Sequence, residues 1–123
     1  MLSVTRKFEF AGAHYLPNHS GKCQHLHGHT WKVEIEIMGQ VKKDTGMIID
    51  FGDMKEKINP IIETFDHKCL NEVLMDYGID DPPTAENLVM IFVTALSKDF
   101  NLFRVRIYES DDSYAEWKKS IMF

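Results

Sequence analysis

The alternation of apolar and polar positions predicts three β-strands and allows a fourth. Residues 4–14 carry a valine and two phenylalanines on even positions, and a threonine, a lysine and a glutamate on odd ones. In residues 27–38 a tryptophan, a valine and two isoleucines occupy consecutive odd positions, and residues 103–107 alternate Phe, Val and Ile with two arginines. Successive side chains of a strand point to opposite faces, so each segment predicts a strand with one buried face. Residues 114–122 fit a strand or a terminal helix, and we favour the strand.

Helical spacing of apolar residues predicts two helices between these strands. After Asp50, which is a good N-cap residue, apolar side chains recur at three- and four-residue intervals as far as Phe65. Pro60 lies within this pattern and predicts a kink or a restart of the helix. Thr84, which follows a proline, then supplies the cap of a second helix, whose apolar stripe extends to Leu96.

The order of the elements is strand, strand, helix, helix, strand, strand. This ββααββ order is typical of an α+β fold in which two helices cover one face of an antiparallel sheet. Neither a linker-like stretch nor an internal repeat divides the chain. We therefore expect a single domain over residues 1–123.

The amino-acid composition narrows the classes of binding partner and the cellular compartment that we expect. The chain has 123 residues and a formal net charge of −5, and it contains two cysteines, Cys23 and Cys69. Nucleic acids and anionic membranes attract basic proteins, so we expect neither as a general partner. No apolar run is long enough to span a bilayer, and the first residues lack the apolar stretch of a signal peptide. We therefore expect a cytoplasmic protein with reduced thiols.

Histidines are concentrated near the start of the chain, where five of the six lie before residue 30. His27 and His29 are two positions apart at the start of a predicted strand, so both rings project to the same face. His14 ends the preceding strand, and antiparallel pairing of the two strands would bring it beside them. Three imidazoles with open positions for a substrate are typical of a catalytic zinc site. Imidazole also binds iron, copper and nickel, so the sequence leaves the metal open.

Two other interpretations of this cluster stay open at this level. A buried histidine is often a hydrogen-bonded core residue that binds no metal. If Cys23 supplied a fourth ligand, the tetrahedron would be closed and the site would be structural rather than catalytic. His19 and His25 lie in the loop between the two strands, and we assign neither of them to the site.

Two carboxylates further along the chain are also candidates. Asp66 directly precedes His67, and such a pair can relay protons, although a dipeptide of this kind is often only a surface pair. Glu109 continues the apolar row of residues 103–107, so we expect it to point to the apolar side, where an unpaired carboxylate is costly. The paired N–H donors of a ligand would satisfy it there. The alternative is a residue at a strand end, already in solvent.

These residues belong to motifs that resemble the pyruvoyltetrahydropterin synthase superfamily. The motifs occur in the order of the family along nearly the whole chain: Phe10-Ala11-Gly12-Ala13-His14, Cys23-x-x-x-His27-Gly28-His29, Asp66-His67-x-x-Leu70-Asn71, Pro83-Thr84-Ala85-Glu86-Asn87 and Tyr108-Glu109. The three-residue gap between Cys23 and the His-Gly-His motif resembles the bacterial 6-carboxytetrahydropterin synthases of queuosine biosynthesis. The biopterin-making branch has a longer gap.

The resemblance implies a fold, an assembly, a metal and a reaction. The fold is the tunnelling fold, whose subunits join their sheets into an oligomeric barrel, typically a hexamer made of two trimers. The metal is zinc, held by His14, His27 and His29. The implied substrate is 7,8-dihydroneopterin triphosphate, and the implied products are 6-carboxy-5,6,7,8-tetrahydropterin, acetaldehyde and triphosphate.

The resemblance also implies roles for single residues. Cys23 matches the residue that abstracts a proton, and Asp66 and His67 match its partners, which a neighbouring subunit contributes. Glu109 matches the carboxylate that anchors the pterin ring.

Two further residues, Thr84 and Glu86, match positions near the pterin pocket.

Two alternative functions stay open. One is a 6-pyruvoyltetrahydropterin synthase, which eliminates triphosphate for biopterin synthesis. The other is a non-catalytic zinc-binding module with Cys23 as the fourth ligand.

Overall fold

A computed structural model describes residues 1–120, and this part of the chain contains one sheet and three α-helices. The strands are β1 (Leu2–His14), β2 (His27–Gly39), β3 (Lys68–Cys69), β4 (Leu102–Ser110) and β5 (Ser113–Lys118). The helices are α1 (Phe51–Phe65), α2 (Leu70–Asp76) and α3 (Ala85–Leu96), and a short 3-10 turn spans Lys22–Gln24. No helix within residues 1–120 has the length and apolar character needed to cross a bilayer.

The sheet has the strand order β3-β1-β2-β4-β5, with β1 and β2 as a long antiparallel hairpin. Their register is unbroken from the pair Leu2 and Gly39 to the pair His14 and His27. Strand β4 pairs with β2, and β5 pairs with β4, both antiparallel. The hairpin register is the feature that matters for function, because it places His14 directly opposite His27.

The strands predicted from alternation are confirmed. Strands β1, β2 and β4 cover the predicted segments and extend them by a few residues at their ends. The last segment is a strand over Ser113–Lys118, as favoured, rather than a helix. Positions 121 and 122 of that predicted segment lie outside the described residues.

Both predicted helices are confirmed, together with their caps. The Asp50 carboxylate accepts a hydrogen bond from the Gly52 amide at 2.6 Å, and the Thr84 hydroxyl oxygen accepts one from the Asn87 amide at 3.2 Å. Of the kink or restart predicted at Pro60, the restart is wrong, because α1 continues through this residue to Phe65. Pro60 is exposed, so water can satisfy the carbonyl that loses its helical partner there.

The structure adds a short strand and a third helix that the pattern did not predict. Strand β3 pairs in parallel with β1, so the sheet is mixed rather than wholly antiparallel. Leu70 follows at once and begins α2, which buries Leu70, Val73 and Leu74 against the core. Segments of two and seven residues are too short to show a clear period in the sequence.

Stacked aromatic rings connect the sheet to the helices. Phe10 of β1 lies parallel to Trp31 of β2, with 6.0 Å between ring centroids, and Phe65 of α1 lies between Phe10 and Phe92 of α3. The Trp31 indole N–H donates to the Gly12 carbonyl at 3.1 Å, so this buried ring has no unpaired polar atom. Trp31 is thereby held rigidly at the end of the core that adjoins the histidines.

Candidate metal centre and active site

The hairpin brings three imidazole rings together, as the strand phases predict. His14 at the end of β1 lies 4.6 Å from His27 and 5.2 Å from His29, measured between ring centroids, and His27 and His29 are 4.9 Å apart. His14 is 1% exposed, whereas the other two rings are half-buried. The three rings therefore form one cluster at the edge of the core.

Backbone carbonyls set the orientation of two of these rings. The Nδ1 atom of His14 is 2.8 Å from the Pro83 carbonyl oxygen, and Nδ1 of His27 is 2.7 Å from the carbonyl oxygen of His25. A carbonyl can only accept, so Nδ1 is the donor in both rings, and in the neutral form of each ring the lone pair lies on Nε2. This is the arrangement that prepares a histidine for metal ligation through Nε2.

Glu109 completes a group of four candidate ligands. Its Oε1 atom is 3.0 Å from Nε2 of His29 and 3.9 Å from Nε2 of His14, and the ligand atoms of the three histidines and Glu109 all lie within 4.8 Å of one another. Two ligands of a tetrahedral zinc ion are about 3.3 Å apart when the bonds are 2.0–2.1 Å long. The donor atoms are spaced to suit such an ion.

Two buried nitrogens in the group have no hydrogen bond of their own. Nε2 of His14 and Nε2 of His29 are inaccessible to water, and no described residue forms an aligned hydrogen bond with either atom. The Glu109 oxygen is close to both but is not aligned for a hydrogen bond with either. Buried polar atoms are normally paired, so these nitrogens are well suited to a metal ion.

Burial keeps His14 in the form that binds metals. It lowers the pKa of the His14 imidazole below its ordinary value, and the bond to the Pro83 carbonyl and the charge of Glu109 oppose this shift only in part. A lowered pKa means that the ring is neutral at pH 7, with Nε2 free of a proton.

Trp31 packs against the cluster from the core side. Its ring packs edge-on against both imidazoles, with ring centroids 5.0 Å from His14 and 5.5 Å from His29 and interplanar angles of 87° and 82°. Sequence reasoning placed Trp31 in the same row as the two strand histidines but did not identify this contact. The carbonyls of Pro83 and His25 were also missed, because a backbone group leaves no signal in the sequence.

Cys23 lies outside the group of four ligands. It is half-buried in the 3-10 turn of the β1–β2 loop, and its carbonyl accepts a hydrogen bond from the Leu16 amide at 2.7 Å. Among the described residues, Glu109 rather than Cys23 is the fourth side chain close to the three imidazoles. Cys23 and Cys69 are both free thiols.

The Asp66–His67 pair does not join the histidine cluster of its own chain. One carboxylate oxygen of Asp66 accepts from the Ala11 amide at 2.9 Å, and the other lies 3.6 Å from Nε2 of His67. The His67 side chain is 82% exposed, and its backbone has a φ of 59°. A histidine in this left-handed conformation is uncommon, and such residues concentrate at functional sites.

The two positions near the predicted pterin pocket have different surroundings. Glu86 and Glu109 line the same open groove of about 380 Å³, together with Tyr114 and Glu116 of β5. Thr84 does not line this groove, and its hydroxyl oxygen is occupied as the cap of α3. The structure thus places Glu86 beside Glu109 and gives Thr84 a local structural contact.

Comparison with known proteins identifies the family. Residues 3–120 match the family model described as 6-pyruvoyl tetrahydropterin synthase. The chain belongs to this family. An Archaeoglobus fulgidus protein provisionally named 6-carboxy-5,6,7,8-tetrahydropterin synthase is 41% identical over 111 residues, which cover 89% of this chain and 90% of that protein. A Haemophilus influenzae protein named 6-carboxy-5,6,7,8-tetrahydropterin synthase is 28% identical, over 97% of this chain and all of that protein.

Solved structures of the 6-pyruvoyl tetrahydropterin synthase family share the fold. The Caenorhabditis elegans 6-pyruvoyl tetrahydropterin synthase matches with a TM-score of 0.86 over 97% of this chain and 96% of that chain, at 23% identity. The α+β architecture described above is thus the tunnelling fold. As a member of this family, the protein is a lyase-type enzyme that acts on a small pterin substrate.

Proposed function

We propose that this protein is a zinc-dependent 6-carboxytetrahydropterin synthase. It converts 7,8-dihydroneopterin triphosphate into 6-carboxy-5,6,7,8-tetrahydropterin, acetaldehyde and triphosphate, for queuosine biosynthesis in the cytoplasm. The observation that carries the proposal is the cluster of His14, His27 and His29, with unpaired buried nitrogens, next to a loop that bears the free thiol of Cys23. The names of the two relatives support this product.

The three histidines are the proposed zinc ligands. Each offers Nε2, and the carbonyls of Pro83 and His25 fix two of the rings. When bound, zinc supplies Lewis acidity toward the hydroxyl groups of the substrate side chain and so acidifies the adjacent C–H bonds.

Glu109 is the proposed anchor for the pterin ring. Its side chain is 34% exposed, so it borders both the histidine cluster and the open groove shared with Glu86. A carboxylate in this position can accept two parallel N–H bonds from the amide and amino groups of a pterin. This pairing would hold the reacting side chain over the histidines.

Proton transfer is assigned to Cys23 with the help of Asp66 and His67. The thiolate is the form of cysteine that can accept a proton, and a nearby cation or metal ion favours this form. The His67 ring is exposed at the outer edge of the sheet, and among the described residues Asp66 is the only one that forms an ion pair with it. We propose that it completes the site of a neighbouring subunit in a homo-oligomer, a hexamer of two trimers.

Subunit sharing predicts complementation between inactive chains. Cys23→Ala and His67→Ala chains are each expected to be inactive alone. When the two are co-produced with different tags and mixed oligomers are purified, random assembly should restore about a quarter of the sites. Recovery of activity in mixed oligomers, measured against each variant alone, checks this. Mixed oligomers that stay as inactive as the single variants would contradict a shared site.

Product analysis separates the proposed reaction from its closest alternative. That alternative is a 6-pyruvoyltetrahydropterin synthase, the activity named by the matched family model. We expect this protein to release acetaldehyde and form a carboxypterin from dihydroneopterin triphosphate, detected by derivatisation and mass spectrometry. A pyruvoyl product without acetaldehyde would overturn the proposal in favour of the alternative.

A further inference from the structure

Residues 66–71 run along the outer edge of β1 and contact it through hydrogen bonds and side-chain packing. The first contact is made by Asp66, which accepts from the Ala11 amide, and the next by His67, whose amide donates to the Ala11 carbonyl at 2.6 Å. Strand β3 continues in parallel register along Gly12 and Ala13. Leu70 then packs on Gly12, where a Cβ atom would meet the Leu70 side chain at 3.0 Å.

Asn71 prolongs this pairing with its side chain. The backbone has already turned into α2 at Leu70, yet the Asn71 amide group forms two hydrogen bonds with Tyr15. Oδ1 accepts from the Tyr15 amide at 3.0 Å, and Nδ2 donates to the Tyr15 carbonyl at 2.9 Å. An asparagine amide has the same donor and acceptor as a peptide group, so Asn71 replaces the next residue of a pairing strand.

Tyr15 is the residue at which the loop bearing Cys23 leaves the sheet. It directly follows His14, and the next residue, Leu16, donates its amide to the Cys23 carbonyl at 2.7 Å. Among the hydrogen bonds between described residues, the two between Asn71 and Tyr15 are the only ones that join residues 15–26 to an α-helix. Two successive backbone contacts therefore link Asn71 to Cys23.

We propose that Asn71 is a positioning residue that holds the Cys23 loop against the histidine cluster. The proposal rests on the proposed catalytic role of Cys23 and assigns no contact with substrate to Asn71. Without the two hydrogen bonds at Tyr15, the start of the loop is free to move and the Cys23 thiol leaves its half-buried place. Misplacement of a reacting group by about 1 Å costs about 100-fold in rate.

The test combines kinetics with the reactivity of the thiol. We expect Asn71→Ala to lower kcat about 10- to 100-fold, with little change in KM or in zinc content. Iodoacetamide should alkylate Cys23 about threefold faster or more, because a released loop exposes the thiol. Mass spectrometry of the peptides measures the alkylation of Cys23 and of Cys69 separately. Asn101→Ala is the matched control, because Asn101 also donates its amide to a backbone carbonyl, that of Met38, in an exposed contact outside the site.

A second variant keeps the test decisive. Asn71→Gln retains the donor and the acceptor of the amide group on a longer arm, so it should fall between Asn71→Ala and the unmodified protein in kcat and in alkylation rate. It supplies the same comparison if the alanine variant does not fold. Unchanged alkylation of Cys23 in folded Asn71 variants would overturn the positioning role, and so would a raised KM at constant kcat. If the unmodified protein does not turn over dihydroneopterin triphosphate, the proposed function fails, while alkylation still decides whether Asn71 holds the loop.

Discussion

Replacing Cys23 by alanine is expected to lower kcat by about 10²- to 10⁴-fold and to leave the zinc content unchanged. The loss follows from removing a group that transfers protons in the transition state, which typically contributes a factor of this size. Zinc should stay because the four candidate ligand atoms belong to three histidines and Glu109, and the Cys23 sulfur is not among them. Steady-state kinetics and metal analysis of the same preparation check both parts.

Cys69→Ala is the matched control for this prediction. Cys69 is also a free, half-buried thiol, but it lies on β3 at the outer edge of the sheet, and its hydrogen bond to Asn71 Oδ1 is a long one of 4.0 Å. We expect it to keep most of the activity. Loss of both zinc and folded structure in Cys23→Ala would instead support the non-catalytic module, in which Cys23 is a structural ligand. Full activity of Cys23→Ala would remove this residue from the mechanism.

Replacing His27 by alanine is expected to lower zinc affinity by more than the 10- to 100-fold that follows loss of an outer-shell partner. His27 is the best ligand to remove, because it is half-buried at the start of β2, whereas His14 is 1% exposed and bonded to the Pro83 carbonyl. Truncation of His14 would leave a cavity against Trp31 and confuse metal loss with unfolding. Titration with a chelating zinc indicator measures the affinity, and activity should fall with zinc content.

His25→Ala is the control for the metal prediction. Its side chain is exposed in the loop, and only its backbone carbonyl contacts the Nδ1 atom of His27, which the substitution preserves. Zinc affinity should therefore stay close to that of the unmodified protein. Equal loss of zinc in both variants would show that the loop, rather than the His27 ring, controls binding. Retention of zinc by His27→Ala would contradict the proposed ligand set.

Much of the fold was predictable because its long elements have strong periods. The alternation around Trp31 predicts β2 and its buried face, and the caps at Asp50 and Thr84 predict where two helices begin. The pattern did not predict β3 and α2, because these elements have too few residues to show a period. It also did not predict that α1 continues through Pro60, which is tolerated because it is exposed. Tertiary contact with β1, rather than local preference, determines the path of residues 66–71.

The candidate site was predictable to the extent that it depends on strand phase. The positions of His14, His27 and His29 at the ends of paired strands were sufficient to predict their meeting. Glu109 was expected on the apolar side, but its approach to the imidazole nitrogens depends on how β4 pairs with β2 and on a side-chain torsion. The role proposed for Asn71 had no sequence signal beyond its place in a motif, because the atoms that it bonds at Tyr15 belong to the backbone.

The edge-on packing of Trp31 on two imidazoles gives the protein an intrinsic optical probe. Indole fluorescence is sensitive to charge beside the ring. Emission from Trp31 should therefore change when a metal ion binds to His14 and His29. The other tryptophan, Trp117, lies on β5 and is half-buried. A Trp117→Phe background would isolate the Trp31 signal, so that metal loading and substrate arrival could be followed in real time without a label.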